Sequence, residues 1–182
     1  MTNHKIKYKT LMIASLVAGI VGLSPALQAA NEESVSKLLS QAKTQSYAIS
    51  VDATTLESYT RQPSLDWTTH AAEITRMKND IDAAGMTVSA LNDSKGQAAA
   101  WQVTAIDRII PYLREIATNT TAAIEFLNKN QTRLKSLEYK DYIEANSDTS
   151  QELASLIAHF VDYGNHKSRY ESLKNTLELP GR

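Results

Sequence analysis

One group of side chains in this sequence has the residue types and spacing of a metal or haem site. His70, Glu73 and Met77 stand at i, i+3 and i+7, so on a helix they share one face. An imidazole and a thioether can bind copper or a haem iron when another helix supplies the remaining ligands. A carrier of a metal or a non-covalent haem, using His70 and Met77, is therefore the alternative hypothesis for the function.

A second group with the same spacing is His159, Asp162 and His166. It could hold zinc or copper at the surface. Because Ile157 and Phe160 of the same stretch have the character of inward residues, this group falls on the outward face, where solvated polar residues are the rule. We therefore predict no metal ligand and no catalytic residue, and we assign no cofactor.

The heptad pattern around His70 offers a packing explanation for the first group. The run starts after Ser64, a candidate N-cap, with Asp66 in its first turn. Counting by sevens gives two seams, a and d, of a helix that packs against neighbours: Trp67, Ile74, Ile81 and Val88, and then His70, Met77, Ala84 and Leu91. His70 and Met77 are consecutive d residues, so packing is the favoured interpretation.

The sequence lacks the residues and motifs that several other kinds of active site require. There is no cysteine, which removes disulfides, thiolate nucleophiles and covalent haem attachment. No glutamate has a histidine three residues later, as di-iron bundles require. The motifs of zinc proteases, serine hydrolases, phosphate loops and dinucleotide folds are also missing. The sequence therefore predicts a protein that is not an enzyme.

The first thirty residues have the pattern of a cleavable signal peptide. Three lysines precede the apolar run Leu11–Leu23, and small residues follow it up to Ala29 and Ala30, where cleavage is predicted. The run has 13 residues, fewer than the roughly 20 that cross a bilayer as a helix. We predict a signal at 1–30, one helical-bundle domain at 31–182, a periplasmic or secreted location and no permanent membrane anchor.

The charge of the mature chain argues against nucleic acid as a partner. Three of the 19 basic residues and none of the 20 acidic ones lie before Ala30, which leaves a net charge of about −4. The densest basic group is interpreted as a solvated helix end and loop, since it is too sparse for a phosphate-binding patch; it consists of Lys129, Arg133, Lys135 and Lys140.

Helical periodicity predicts two more long elements. The first helix is expected from about Ser34 to Arg61, ending before Pro63, and the third from about Gln97 to Asn130 with a kink at Pro111. Their apolar stripes are Val35, Leu39, Ala42, Ile49, Ala53 and Leu56 in the first, and Ile106, Ile109, Ile110, Leu113, Ile116, Ala123, Ile124 and Leu127 in the third.

The start of the last helix stays open in the sequence. Residues 131–146 fit either a short separate helix or the first turns of the last one, while a capping-box pattern at Thr149 and Glu152 favours a start there. Gly164 on the inner face indicates a close approach. The stripe comprises Leu153, Ile157, Phe160, Val161 and Gly164, and then shifts phase to Tyr170, Leu173 and Leu177.

Four amphipathic helices joined by short loops predict an all-α fold, an up-down-up-down antiparallel four-helix bundle with a proline kink in the third helix. Three stretches resemble a group of uncharacterised, predicted-secreted helical proteins from bacteria: "LESYTRQPSLDWTTHAAEI", "PYLREIATNTTAAIEFLNKNQ" and "HFVDYG". The resemblance implies an exported helical protein and carries no activity. The function predicted first is binding, to an envelope or extracellular protein, to a second copy, or to an apolar ligand between helices.

Overall fold

The computed structural model describes residues 25–62, 64 and 66–177, and it describes side chains from Ala30 onward. This part of the chain contains four α-helices, a short 3-10 helix and no strand. The helices are α1 (Pro25–Thr60), α2 (Trp67–Asp93), α3 (Ala100–Lys129) and α4 (Leu137–Thr176), with the 3-10 helix at Lys95–Gln97. The all-α prediction is confirmed. Most of the predicted signal peptide, residues 1–24, lies outside the described residues.

Two predicted helix starts are wrong by a few residues. The N-cap of α2 is Asp66 rather than Ser64, because the Asp66 carboxylate accepts a hydrogen bond of 3.0 Å from the Thr69 amide. The helix α1 begins at Pro25, well before Ser34. Proline suits the first turn of a helix, and the alanines that follow it are strong helix formers, so the helix extends upstream.

The last helix begins earlier than the capping box predicted. Ser136 caps α4, with its hydroxyl accepting from the Tyr139 amide at 3.3 Å. Thr149 lies inside the helix and is buried, so its pattern marks no start. Residues 137–146 are therefore the first turns of α4 rather than a separate helix.

Pro111 lies inside α3. It has no amide hydrogen to donate, yet the helix continues across it from Ala100 to Lys129.

The helices pack α1 against α2 and α4, and α3 against the same two neighbours. Their stripes form two apolar clusters. The larger contains Leu39, Ile49, Met77, Ile81, Ile106, Ile109, Ile116, Leu153 and Ile157, among others, and the smaller contains Leu56, Ile74, Ala123, Phe126, Leu127, Tyr139 and Ile143. Almost every residue predicted for the stripes of α1 and α3 is buried or half-buried in them. Trp67 is the exception in α2, since it is 38% exposed at the first turn.

A layer of buried polar side chains accompanies the two clusters. Asp52 from α1, Thr120 from α3 and Asn146 from α4 are each nearly inaccessible to water. With the Asn146 amide oriented so that its oxygen accepts from Thr120 Oγ1 at 3.0 Å, its nitrogen donates to the Ile116 carbonyl at 3.1 Å, so both ends of the amide have partners. Buried polar layers of this kind fix which turns of neighbouring helices face each other, because a shift would leave the groups without partners.

The prediction of a close approach at Gly164 is confirmed. A Cβ atom added there would lie 2.6 Å from the end of the Trp101 indole of α3. The ring therefore packs directly on the backbone of α4. Within the part of the chain that the structure describes, no helix is both long enough and apolar enough to cross a membrane.

Candidate functional site

His70, the first residue of the proposed ligand pair, is buried and already has a partner. Its Nδ1 lies 3.1 Å from the Tyr139 hydroxyl, and Tyr59 packs edge-on against the imidazole. Burial lowers the pKa of His70, although the Asp66 carboxylate opposes this. The ring is thus favoured in its neutral form, hydrogen-bonded within the core.

Met77, the second residue of the pair, is fully buried in the larger apolar cluster. Glu73 is instead half-buried and pairs with Arg76. In the described residues, no three histidine, aspartate or glutamate side chains come together as metal ligands do. The structure therefore does not bring His70, Glu73 and Met77 into one site, and the carrier stays a hypothesis.

A cleft of about 390 Å³ opens beside His70 at the end of the bundle where α1 meets α2. Its walls include the rings of Tyr59 and Trp67, the Asp66 carboxylate and the Lys135 ammonium. The Asp66 carboxylate is committed to capping α2, as described above. The cleft therefore offers aromatic surface but few free polar groups for holding a ligand.

An ion pair with one buried partner, Asp52, links α1 to the half-exposed Arg76 of α2. Arg76 Nη2 lies 2.6 Å from Asp52 Oδ1 and 2.6 Å from Glu73 Oε1. Asp52 is 3% exposed, and its other oxygen, Oδ2, has no hydrogen-bond partner among the described residues. One half of this carboxylate is therefore buried without compensation, which disfavours its charge.

Burial raises the pKa of Asp52 to about 6. The Arg76 guanidinium opposes this rise, and the nearby carboxylates of Asp80 and Glu73 add to it. Because the folded state holds this proton more tightly than the unfolded chain does, stability falls as the pH rises from about 4 to about 6. Asp52 therefore destabilises the bundle at neutral pH.

We expect Asp52→Asn to raise the free energy of unfolding more at pH 7.5 than at pH 4.5, by about 1 kcal/mol. The full shift of the pKa would give more, but water around the half-exposed Arg76 screens the charge. Urea unfolding at the two pH values measures this difference, and Asp82→Asn, at an exposed position of α2, is the control. A gain that is equal at both pH values would contradict the assignment.

Sequence reasoning missed Asp52 and Arg76, although a signal was present. Asp52 stands three residues after Ile49 and four before Leu56, so it occupies the apolar stripe of α1 itself. A charged residue on a buried stripe needs an opposite charge on a neighbouring helix. The arginine that supplies it, Arg76, could not be chosen among the basic residues without the packing of α1 on α2.

The outward face of α4 carries a second heptad pattern. We call it the outer stripe; its members are Leu156, His159, Tyr163, His166, Tyr170, Leu173 and Leu177. The steps between them alternate strictly between three and four residues, which is the spacing of a coiled-coil seam. Apart from Gly164, the intervening residues from Asp162 onward are all polar. A helix with this pattern is built to pack against another helix.

Most of the outer stripe is exposed, although Tyr163 also packs edge-on against the Trp101 ring of α3, with ring centres 5.4 Å apart. Tyr163, Tyr170, Leu173 and Leu177 are between 53% and 64% exposed. The prediction that the last three of these continue the inner stripe is therefore wrong. The inner face of α4 ends near Val161 and Gly164, and the change of phase turns the later apolar residues away from α1 and α3. The prediction that His159, Asp162 and His166 point outward is confirmed, since all three are exposed.

A groove of about 450 Å³ lies on the same outer face, at the beginning of the stripe. Leu156 and His159 form one wall, and Arg108 and Tyr112 of α3 form the other. The Arg108 guanidinium lies 5.8 Å from the centre of the Phe160 ring of α4, and this contact holds the α3 wall of the groove in place. The outer face of α4 thus has a groove near one end and projecting apolar side chains near the other.

In comparisons with known proteins, no family model, no curated protein and no solved structure matches the chain. The outer stripe and the groove beside it are therefore interpreted from their own geometry.

Proposed function

We propose that this protein is an exported, non-enzymatic helical bundle that acts by binding another polypeptide through the outer stripe of α4. The observation that carries the proposal is the exposure of four large apolar side chains at heptad spacing on one face of one helix. Soluble proteins rarely leave a contiguous apolar patch uncovered unless it binds something. A ridge of this shape suits a helix as its partner, since heptad side chains interlock with those of a second helix.

A protein partner fits this surface better than a small apolar ligand does. Small ligands bind in concave sites that bury most of their surface. Tyr170, Leu173 and Leu177 stand exposed at the surface. A cleft of about 550 Å³ beside Trp101 is lined mainly by polar and charged residues, Glu32, Glu33, Lys167 and Glu171 among them, which suits an apolar ligand poorly. Tyrosine is also enriched at protein interfaces, because its ring supplies large contact area with little loss of conformational freedom.

Export is the part of the proposal that rests on the sequence. The basic and apolar pattern of residues 1–30 and the resemblance to predicted-secreted bacterial helical proteins both favour a periplasmic or secreted location. The partner would then be an envelope or extracellular protein, or a second copy of this chain. The net negative charge of the mature chain favours neither nucleic acid nor an anionic surface.

We also propose that the bundle has up-down-up-down antiparallel topology. Contacts between helix ends support it: Gln102, near the start of α3, donates to the Glu32 carbonyl of α1 at 2.9 Å, and His70, near the start of α2, contacts Tyr139 near the start of α4. The starts of α1 and α3 thus lie together, as do those of α2 and α4. A kink in α3 at Pro111 is part of the same proposal, since proline removes one helical hydrogen bond.

Photocrosslinking in the producing cell tests the binding function. A photoreactive amino acid in place of Tyr170 should give a crosslinked product of one defined mass, and Leu173→Glu in the same chain should abolish it. The matched control is Tyr47 of α1, which is equally exposed at 68% but lies on no heptad stripe. If Tyr170 gives no discrete product, or gives one that Leu173→Glu leaves unchanged, the proposed function is wrong.

A further inference from the structure

We infer that the helix which covers the outer stripe is α4 of a second copy of this chain, packed antiparallel in one particular register. This inference rests on the proposed function and names its partner. Three observations carry it: the arrangement of groove and ridge on one face, the charges beside the stripe, and the layers that the stripe forms with itself.

The groove and the projecting side chains are arranged as the two halves of a self-complementary interface. The groove beside Leu156 lies at the beginning of the stripe, and the exposed Leu173 and Leu177 lie at its end. A two-fold axis that crosses α4 between Gly164 and Asn165 places the end of one copy over the groove of the other. Isologous contacts of this kind bury both features twice and leave neither open to further copies.

This register forms well-matched layers along the seam. Leu156 faces Leu173 of the second copy, His159 faces its Tyr170, and Tyr163 faces its His166, and the symmetry repeats each layer once. Each histidine thus lies against an aromatic ring rather than against another histidine. The overlap from Leu156 to Leu173 is about 26 Å long on a helix that rises about 1.5 Å per residue.

The charges beside the seam favour the same register. Asp162 is paired at 3.2 Å with Lys43 of α1 in its own chain, through an exposed ion pair. In the dimer it also faces Arg169 of the second copy on both sides of the axis, which gives two further opposite-charge pairs across the flanking positions. At the edge of the groove, Glu152 faces Leu177 of the second copy and lies close to its Lys174.

Other arrangements of the same two helices place like charges together. If one helix slides along the other by seven residues and stays antiparallel, Arg169 lies opposite Arg169 of the second copy, and Lys167 lies opposite Lys167. A parallel pair brings Asp162 opposite Lys167, but it also brings Arg169 opposite Lys174, and it stacks His159 and His166 each on its own copy. Like charges at flanking positions disfavour a coiled-coil pairing, so the antiparallel register described above is selected.

Sedimentation equilibrium of the purified protein between about 1 and 200 µM tests the inference. Because the overlap spans only about three heptads, we expect a reversible monomer–dimer equilibrium with a Kd on the order of 10 µM. Leu173→Glu should raise the Kd at least about 100-fold, because it places a carboxylate against Leu156 in both layers where these two residues meet. Ser172→Glu, one residue away and off the stripe, is the matched control and should leave the Kd unchanged.

A charge swap tests the register itself. Arg169→Glu should weaken the dimer about tenfold, because it places Asp162 opposite a carboxylate. Adding Asp162→Lys to the same chain should restore the Kd to within about threefold of the original. A swap that restores nothing overturns the register. Circular dichroism of each variant shows that it is folded, so loss of helix is distinguished from loss of association.

The outcomes separate this inference from the proposed function. A chain that stays monomeric at 200 µM overturns the homodimer, as does a dimer that Leu173→Glu does not weaken. If the chain is monomeric while Tyr170 still crosslinks to a different protein in the cell, the inference is wrong and the proposed function stands. If the chain is monomeric and Tyr170 crosslinks to nothing, both are wrong.

Discussion

Replacing Tyr139 by alanine should lower the free energy of unfolding by about 3–5 kcal/mol, as removal of a buried aromatic side chain does. Tyr139 is the largest of the fully buried side chains, and it stacks on Phe126 with ring centres 5.7 Å apart. The smaller apolar cluster contains only seven buried residues, so it loses its main member. The same change also leaves His70 Nδ1 without its hydrogen-bond partner.

Two further variants divide this effect into its parts. Tyr139→Phe keeps the ring and removes only the hydroxyl, so it should cost about 1 kcal/mol, the typical net value of one hydrogen bond. Tyr47→Ala makes the same truncation at an exposed position and should change stability by less than about 0.5 kcal/mol. Urea unfolding measures all three. A loss for Tyr139→Phe as large as for alanine would contradict the packing account.

Replacing Met77 by alanine should cost about 2–5 kcal/mol, whereas Met77→Leu should cost less than about 1.5 kcal/mol. The physical reason is that Met77 is fully buried in the larger cluster, where volume matters more than the sulfur atom. The matched control is Met86→Ala on the same helix, because Met86 is 71% exposed and should tolerate truncation.

The Met77 series also tests the carrier hypothesis against packing. If the thioether bound a metal or a haem, leucine would lose that function while preserving stability. Equal destabilisation by leucine and alanine would mean that the sulfur makes an interaction which the apolar cluster does not explain. Thermal and urea unfolding of the two Met77 variants and the original chain, together with their absorption spectra after purification from the producing cells, measures both properties.

Much of the helical architecture was predictable because buried stripes recur at a fixed spacing. The heptads of α2 and the stripes of α1 and α3 name residues that are in fact buried. Helix ends were predicted less well, since two candidate caps lie close together at Ser64 and Asp66 and only one accepts the amide of Thr69. Caps depend on local backbone geometry, which periodicity does not report.

The candidate binding surface was visible in the sequence only as a change of phase. The spacing of Tyr170, Leu173 and Leu177 predicts that they continue the inner stripe. A sequence shows how apolar residues are spaced, but it does not show which neighbouring helices pack against them. The packing decides this point: α1 and α3 pack against the inner face of α4, and on the opposite face only Tyr163 reaches back, to the Trp101 ring of α3, while Tyr170, Leu173 and Leu177 stay exposed.

The buried polar layer could not have been assembled from sequence for a similar reason. Asp52, Arg76, Thr120 and Asn146 lie on four different helices, and their pairing depends on which turns face each other. Each residue by itself looks like an ordinary polar position of a solvated helix. Only the packing shows that Asp52 is enclosed and that Arg76 reaches it. The raised pKa of Asp52 makes the stability of the bundle depend on pH, and the amino-acid composition does not predict this.

The central claim is that a second polypeptide, and not the rest of the same bundle, covers the outer face of α4 from Tyr163 to Leu177. Backbone hydrogen exchange at several protein concentrations tests this most directly. At the lowest concentration we predict fast exchange in residues 164–177 and strong protection in residues 143–157, with protection of 164–177 rising as concentration rises. Strong protection of residues 164–177 that is the same at every concentration would contradict the claim.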